Sequence, residues 1–270
     1  MKICHYTTIE SLVLILSNKT IKFSRLDKVD DLDEGKIEFR GTPLSHIFFA
    51  SCWSMEEEES IAMWKLYTRE GVGVRIKLES DTIFDNQIFR LIENPSKDEI
   101  INLLGNKHYL DTLNIIDSPV TYVPNPLELI NESIRPYGNS NDTFGFAMDN
   151  RVVGLTKDTS WSFQKEYRFL KMILPRDHKT TNISPGDNFN IGWQETYSLL
   201  QNGHGPERSP GVPLEEVFVP LGTNALAKLE ITLGPNCKEE HKLIVEAICN
   251  QLGIKAKIAP SGLTGRLHFK

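Results

Sequence analysis

The clearest alternation of apolar and polar positions is Val72, Val74, Ile76 and Leu78 interleaved with Gly73, Arg75 and Lys77, which predicts a strand with one buried face. Lys2 to Tyr6 predicts a short first strand. Thr20 to Ser24, with Ile21 and Phe23 on one side, predicts a second, half-buried one. Between them, Ile9, Leu12, Val13, Ile15 and Leu16 supply an apolar helix face, which Thr7 or Thr8 can cap and Asn18-Lys19 ends; Thr7 with Glu10 has capping-box spacing. Ser45 to Trp53 has a continuous apolar centre and reads as a buried strand. Glu56 to Glu59 fall at the start of a helix, where its dipole favours acids, with a body from Ser60 to Arg69 and a stop at Gly71.

Beyond residue 80 the pattern weakens. Helices are expected around Lys97–Leu104 and Pro126–Ile134, a short strand at Val120–Val123, and helical character from Phe144 to Thr156. Phe169 to Leu174 is an apolar strand directly after the stretch Trp161-Ser162-Phe163-Gln164-Lys165-Glu166-Tyr167-Arg168. Residues 175–213 are rich in Pro, Gly, Asn and charge, and predict a loop-rich insertion. Order returns with strands at Val217–Val219 and Lys228–Leu233. An amphipathic helix over Glu239–Leu252 follows, with Leu243, Ile244, Ala247, Ile248 and Leu252 on one face and Gly253 at its end. Ile254, Ala256 and Ile258 alternate as a last strand. Strands and helices mix without regular βαβ alternation, so the expected class is α+β in one domain spanning 1–270.

Composition alters this picture little. The chain has 270 residues, 40% hydrophobic and 24% charged, enough for a sizeable core. A formal net charge of −6 gives no general field for nucleic acid, so such a partner needs a local patch. The four cysteines, Cys4, Cys52, Cys237 and Cys249, form no CxxC pair, and three of them lie in apolar runs. No metal site is expected. No stretch approaches the roughly 20 apolar residues of a membrane span, and the N-terminus does not read as a signal peptide. The expectation is a soluble cytoplasmic protein without a membrane partner.

Four places carry candidate chemistry. His5-Tyr6-Thr7, ending the first strand, offers an imidazole, a flat ring and a hydroxyl; taken alone, it reads first as a core histidine and a helix cap. Ser51-Cys52-Trp53-Ser54 places hydroxyls at a strand end. Trp64 and Tyr67 lie three apart on one helix, as core rings do, with the Tyr67 hydroxyl nearer water. Glu166 lies among aromatic rings. On a strand it shares a face with Arg168, as an ion pair or as a carboxylate held ionised. Asp27 to Glu34 lacks calcium-loop spacing and reads as a solvated acidic loop. There is no GxSxG, HExxH, GxxxxGK[ST] or post-strand GxGxxG motif, which argues against the common hydrolase, metalloprotease and Rossmann classes.

Taken in order, HYTTIESLVLILSNKTIKFSRLDKVDD, FFASCWSMEEEESIAMWKLYTREGVGVRIKL, Lys157 followed by WSFQKEYRFL, and LEITLGPNC resemble the bacterial DUF2971 family over nearly the whole chain except 80–150 and 175–213. Gln164 stands where that family often has an acid, and Asn18-Lys19 where a glycine is common. The plan of the family is similar to that of ADP-ribosyltransferases. That implies a split antiparallel sheet with flanking helices and NAD as substrate. The resemblance makes Glu166, His5 and Tyr67 the catalytic group, with Tyr6 or Tyr67 stacking on the nicotinamide. Tyr6, Thr7, Ser24, Ser51, Trp64 and Arg168 then surround the dinucleotide.

The expected function is transfer of ADP-ribose from NAD, a glycosyl transfer, to a protein or nucleic-acid acceptor, in the manner of a toxin or phage-defence effector. The alternative is a module that binds a nucleotide or partner in the same cleft without turnover. A nuclease or other hydrolase using Asp30 to Glu34 is the third class.

Overall fold

The computed structural model describes residues 1–39, 42–85, 109–111, 115–140, 143–149, 152–175 and 215–267. Its strands are β1 (Lys2–Thr7), β2 (Thr20–Arg25), β3 (Glu38–Phe39), β4 (Thr42–Pro43), β5 (Phe48–Ser54), β6 (Val74–Glu79), β7 (Tyr109–Asp111), β8 (Ile116–Pro119) and β9 (Thr121–Val123). They continue as β10 (Ile134–Ser140), β11 (Thr143–Met148), β12 (Thr156–Asp158), β13 (Glu166–Pro175), β14 (Glu216–Pro220), β15 (Glu230–Leu233) and β16 (Lys257–Pro260). The helices among the described residues are α1 (Ile9–Asn18), α2 (Ile61–Tyr67), α3 (Pro126–Ser133) and α4 (Glu239–Gln251). The class is α+β, and the ten-stranded main sheet is mostly antiparallel, the β15–β16 pair being parallel.

This sheet is a fork. Its trunk is the ladder between β5 and β13, from Ser54 opposite Glu166 to Phe48 opposite Met172. On the other edge of β5 two arms attach at different places. β1 meets it at Cys4 opposite Ser54, and carries β6, β15 and β16 beyond. β2 meets it at Ser24 opposite Ala50 and Arg25 opposite Phe49, and carries β14. Ser51, Cys52 and Trp53 lie between the arms with no ladder partner on that edge among the described residues. An open backbone edge inside a sheet is unusual, because strand N–H and C=O groups demand partners.

The main core fills one side with Ile3, Leu12, Leu16, Phe23, Phe48, Phe49, Trp53 and Phe169. A smaller cluster of Cys4, Tyr6, Met63 and Trp64 lies under α2, since alternate residues of β1 face opposite ways.

Several elements differ from the sequence expectation. Thr8 caps α1, accepting a bond from the Ser11 amide at 3.2 Å, so the box of Thr7 with Glu10 is not formed. Leu44–Ile47 is a 3-10 turn, and the strand begins only at Phe48. α2 is shorter than expected because Ser60 caps it, and of the acids before it Glu59 is engaged elsewhere. Glu59 accepts bonds from Trp64 Nε1 at 3.0 Å, Ser261 Oγ at 2.5 Å and the Gly262 amide at 2.7 Å, latching the C-terminal loop.

The helical expectation over 144–156 is overturned: Thr143–Met148 pairs with Ile134–Ser140 as a hairpin, in keeping with the period of two shared by Phe144 and Phe146. α4 buries Val245 and Cys249, one turn apart, and leaves Leu243 and Ile244 exposed. Its buried seam is therefore rotated from the predicted face. The expected helix at 97–104 and nearly all of the 175–213 insertion lie outside the described residues. Among those described, no helix is long and apolar enough to cross a membrane.

Candidate functional site

The open edge of β5 faces a cavity of about 850 Å³, within the range of small-molecule sites. His5, Tyr6, Thr7, Ser24, Ser51, Tyr67 and Glu166 all line it, although they come from β1, β2, β5, α2 and β13. The fork therefore brings most of the sequence candidates to one place.

His5 is half-buried, its ring 5.0 Å from that of Trp53. Its Nδ1 lies 3.0 Å from the carbonyl oxygen of Cys52, on the unpaired stretch of β5. A carbonyl only accepts, so Nδ1 carries the proton and donates. Burial lowers the pKa of the ring, against the effect of that bond, with the Lys22 charge adding to the lowering. A neutral imidazole protonated on Nδ1 keeps a lone pair on Nε2. Nε2 has no hydrogen bond among the described residues, and is an acceptor for a ligand hydroxyl.

Glu166 is 3% exposed and rests on a buried charge network. Arg168 Nε donates to its Oε1 at 2.5 Å, and Lys157 Nζ to its Oε2 at 3.3 Å. Burial pushes the Glu166 carboxyl up. The Arg168 and Lys157 charges outweigh it and hold the group at about 2, an anion at any ordinary pH. Arg168 also grips the Glu34 carboxylate with both terminal nitrogens, and donates to the Gly154 carbonyl at 2.8 Å. Two carboxylates thus face one guanidinium and one ammonium, the pairing that a buried ion requires.

Lys165 has φ 42, in the left-handed region. That turn points Lys165 out to pair with Glu56, and lets both its neighbours point inward. Gln164 accepts from Lys157 Nζ at 2.8 Å and donates to Tyr67 Oη at 2.7 Å. The Tyr67 hydroxyl in turn donates to Asp30, which closes a bridge from α2 to the loop after β2. Burial, then Asp30, raises the Tyr67 pKa, so it stays a phenol.

The structure corrects four expectations. Trp64 is fully buried against the edge of Tyr6 at 4.9 Å, and does not reach the cavity. Arg168 is fully buried beneath Glu166, so it can hold that carboxylate but cannot touch a ligand. Tyr6 lines the cavity, but its ring packs on Trp64 and its hydroxyl accepts from the Ser60 amide at 3.1 Å; it is not open to stack. The acidic loop is not wholly solvated: Asp31 and Glu34 are 5% and 3% exposed, and Asp27 pairs with Arg25. Glu34, one of the acids of that loop, is engaged by Arg168. Among the described residues no cluster of His, Cys, Asp and Glu could hold a metal ion.

Asp30, Lys157 and Gln164 were missed as site residues. The inward pair either side of Lys165 depends on a backbone turn, and Asp30 was hidden in an acid-rich loop. The Cys52 thiol also faces the cavity, and burial together with Glu166 raises its pKa well above the ordinary value, which keeps it protonated. Compared with known protein families, with curated proteins and with solved structures, the chain has no match.

Proposed function

We propose that the chain is a NAD-dependent ADP-ribosyltransferase-like protein that passes ADP-ribose to a macromolecular acceptor, as a toxin or phage-defence effector does. The observation that carries this reading is the meeting of His5 and Glu166 across one cavity, at the point where the sheet forks. The open edge of β5 supports the split antiparallel sheet implied by the resemblance.

In this reading His5 Nε2 accepts from a hydroxyl of the nicotinamide-side ribose. The Tyr67 ring, pinned through its hydroxyl, lies against the nicotinamide. The bond from ribose C1′ to the nicotinamide nitrogen breaks, and its electron pair leaves with nicotinamide. Positive charge develops on the sugar beside the Glu166 carboxylate, which is already ionised and fixed by Arg168. An anion preorganised there favours the transition state over the ground state. The acceptor nucleophile then bonds to C1′ and gives up its proton.

The second reading is a binding module without turnover. The engagement of both Glu166 oxygens by Arg168 and Lys157, with little exposure, favours it.

The test is nicotinamide release from labelled NAD in the presence of protein, DNA and RNA acceptors. The transferase reading expects label on one acceptor, and a rate about 10²-fold or more lower in Glu166→Gln. If wild type and Glu166→Gln release nicotinamide equally slowly and label nothing, the reading falls. NAD binding that survives Glu166→Gln without product establishes the binding module instead.

A further inference from the structure

The two-stranded arm made by β2 and β14 turns Ile21, Phe23, Val217 and Val219 to the core. Its other face, with Lys22, Ser24, Glu216 and Phe218, lines the cavity. Phe218 is 55% exposed on this otherwise polar wall. Leu14 of α1, 60% exposed, lines the same cavity. A single exposed ring is ordinary. Leu66 of α2, 53% exposed, lines the cavity as well, but only Phe218 has a cation beside it, which is a narrower pattern.

Lys22 stands directly opposite Phe218 in the β2–β14 register, which places the two side chains as cross-strand neighbours. Lys28, just beyond β2, lines the cavity too. Lys22 pairs with Glu216 at 3.4 Å and Lys28 with Glu215 at 2.9 Å, all four side chains being well exposed, and Lys28 also lies 3.8 Å from the less exposed Asp27 carboxylate. Such solvated pairs are weak, so a phosphate can compete for the lysines. A flat apolar group on Phe218 with an anion against Lys22 is the chemistry of a nucleotide: a base that stacks and a phosphate that follows it. From Glu166 the way to Phe218 crosses β5 and β2, three strand spacings of about 4.8 Å each. That leaves room for a second nucleotide beyond the sugar at Glu166.

We infer that the β2–β14 wall is the subsite for the adenylate half of NAD, with adenine held between Phe218 and Leu14 and the pyrophosphate on Lys22 and Lys28. This rests on the reading of the cavity as a NAD site. Calorimetric titration of wild type, Phe218→Ala and Lys22→Ala with NAD, AMP and nicotinamide mononucleotide tests it. Both positions are solvent-facing, so neither variant removes a buried contact.

The expected result is that Phe218→Ala weakens NAD and AMP by roughly tenfold and leaves the mononucleotide unchanged. Lys22→Ala should weaken NAD and AMP with a reduced dependence on salt. Unchanged NAD affinity in Phe218→Ala, or an equal loss for the mononucleotide, overturns the subsite and leaves the transferase reading standing. AMP binding that depends on Phe218, with no mononucleotide binding and no nicotinamide release, keeps the subsite and removes the transferase. Wild type that binds none of the three removes both.

Discussion

Arg168 and Arg75 are both buried, at 0% and 3% exposure, yet their surroundings differ in kind. Around Arg168 every N–H has a target: Glu166, Glu34 and the Gly154 carbonyl take all of its guanidinium nitrogens. Arg75, on the face of β6 under α2, donates one bond from Nη2 to the Glu57 carbonyl at 2.6 Å and lies 5.8 Å from the centre of the Tyr6 ring. Its Nε and Nη1 have no hydrogen-bond partner among the described residues. The contrast shows two ways to bury a cation. One is a closed network in which removing a member strands opposite charges. The other is a group held by one hydrogen bond, with no ion pair closer than 4 Å among the described residues.

The largest test of that contrast is Arg168→Met, which leaves Glu34 and Glu166 buried with only Lys157 between them. It should cost about 3–5 kcal/mol in denaturant unfolding, or prevent folding altogether. Acid titration comes next. The Glu166 carboxyl stands at about 2 in the folded state against an ordinary 4.5, so folding favours its deprotonated form. Its contribution is complete above pH 4.5 and is lost as pH falls towards 2. Burial raises Glu34, which therefore takes up its proton first and acts with the opposite sign. Midpoints measured against pH should show a loss in the window from 4.5 to 2 that Glu166→Gln removes.

Arg75→Met should lie within about 1 kcal/mol of the parent, and keep the parent's acid response. A loss equal to that of Arg168→Met would break the comparison. The smallest effect belongs to Arg69→Ala at the exposed pair with Glu10, about 0.5 kcal/mol or less by thermal melting.

Much of this contrast could not be read from the chain. The strands were legible, because a period of two survives in β2 and β6 and an apolar run marks β13, and the shared face of Glu166 and Arg168 followed from strand geometry. Their partners were not legible. Nothing local says that β5 is claimed by β13 on one edge and by two separate arms on the other. Glu34 was concealed by acidic neighbours that resemble solvated loop, although its side chain is among the least exposed acids. Tyr67 and Asp30 lie 37 positions apart on different elements, and only the closed fork joins them. Trp64 was misplaced only by the resemblance, which set it at the dinucleotide; its helical spacing reads as core, and the structure buries it fully.

The trunk ladder also has a history in time. Glu34 and Arg168 are 134 positions apart, so the network beneath the cavity closes a long loop. Such non-local contacts form late and slowly in folding. At a synthesis rate of about 5–20 residues per second, roughly 7–27 s separate the appearance of the two residues. Throughout that interval the growing chain holds His5 without the carboxylate it faces. The site is not assembled until β13 has docked on β5 and brought Glu166 opposite Ser54.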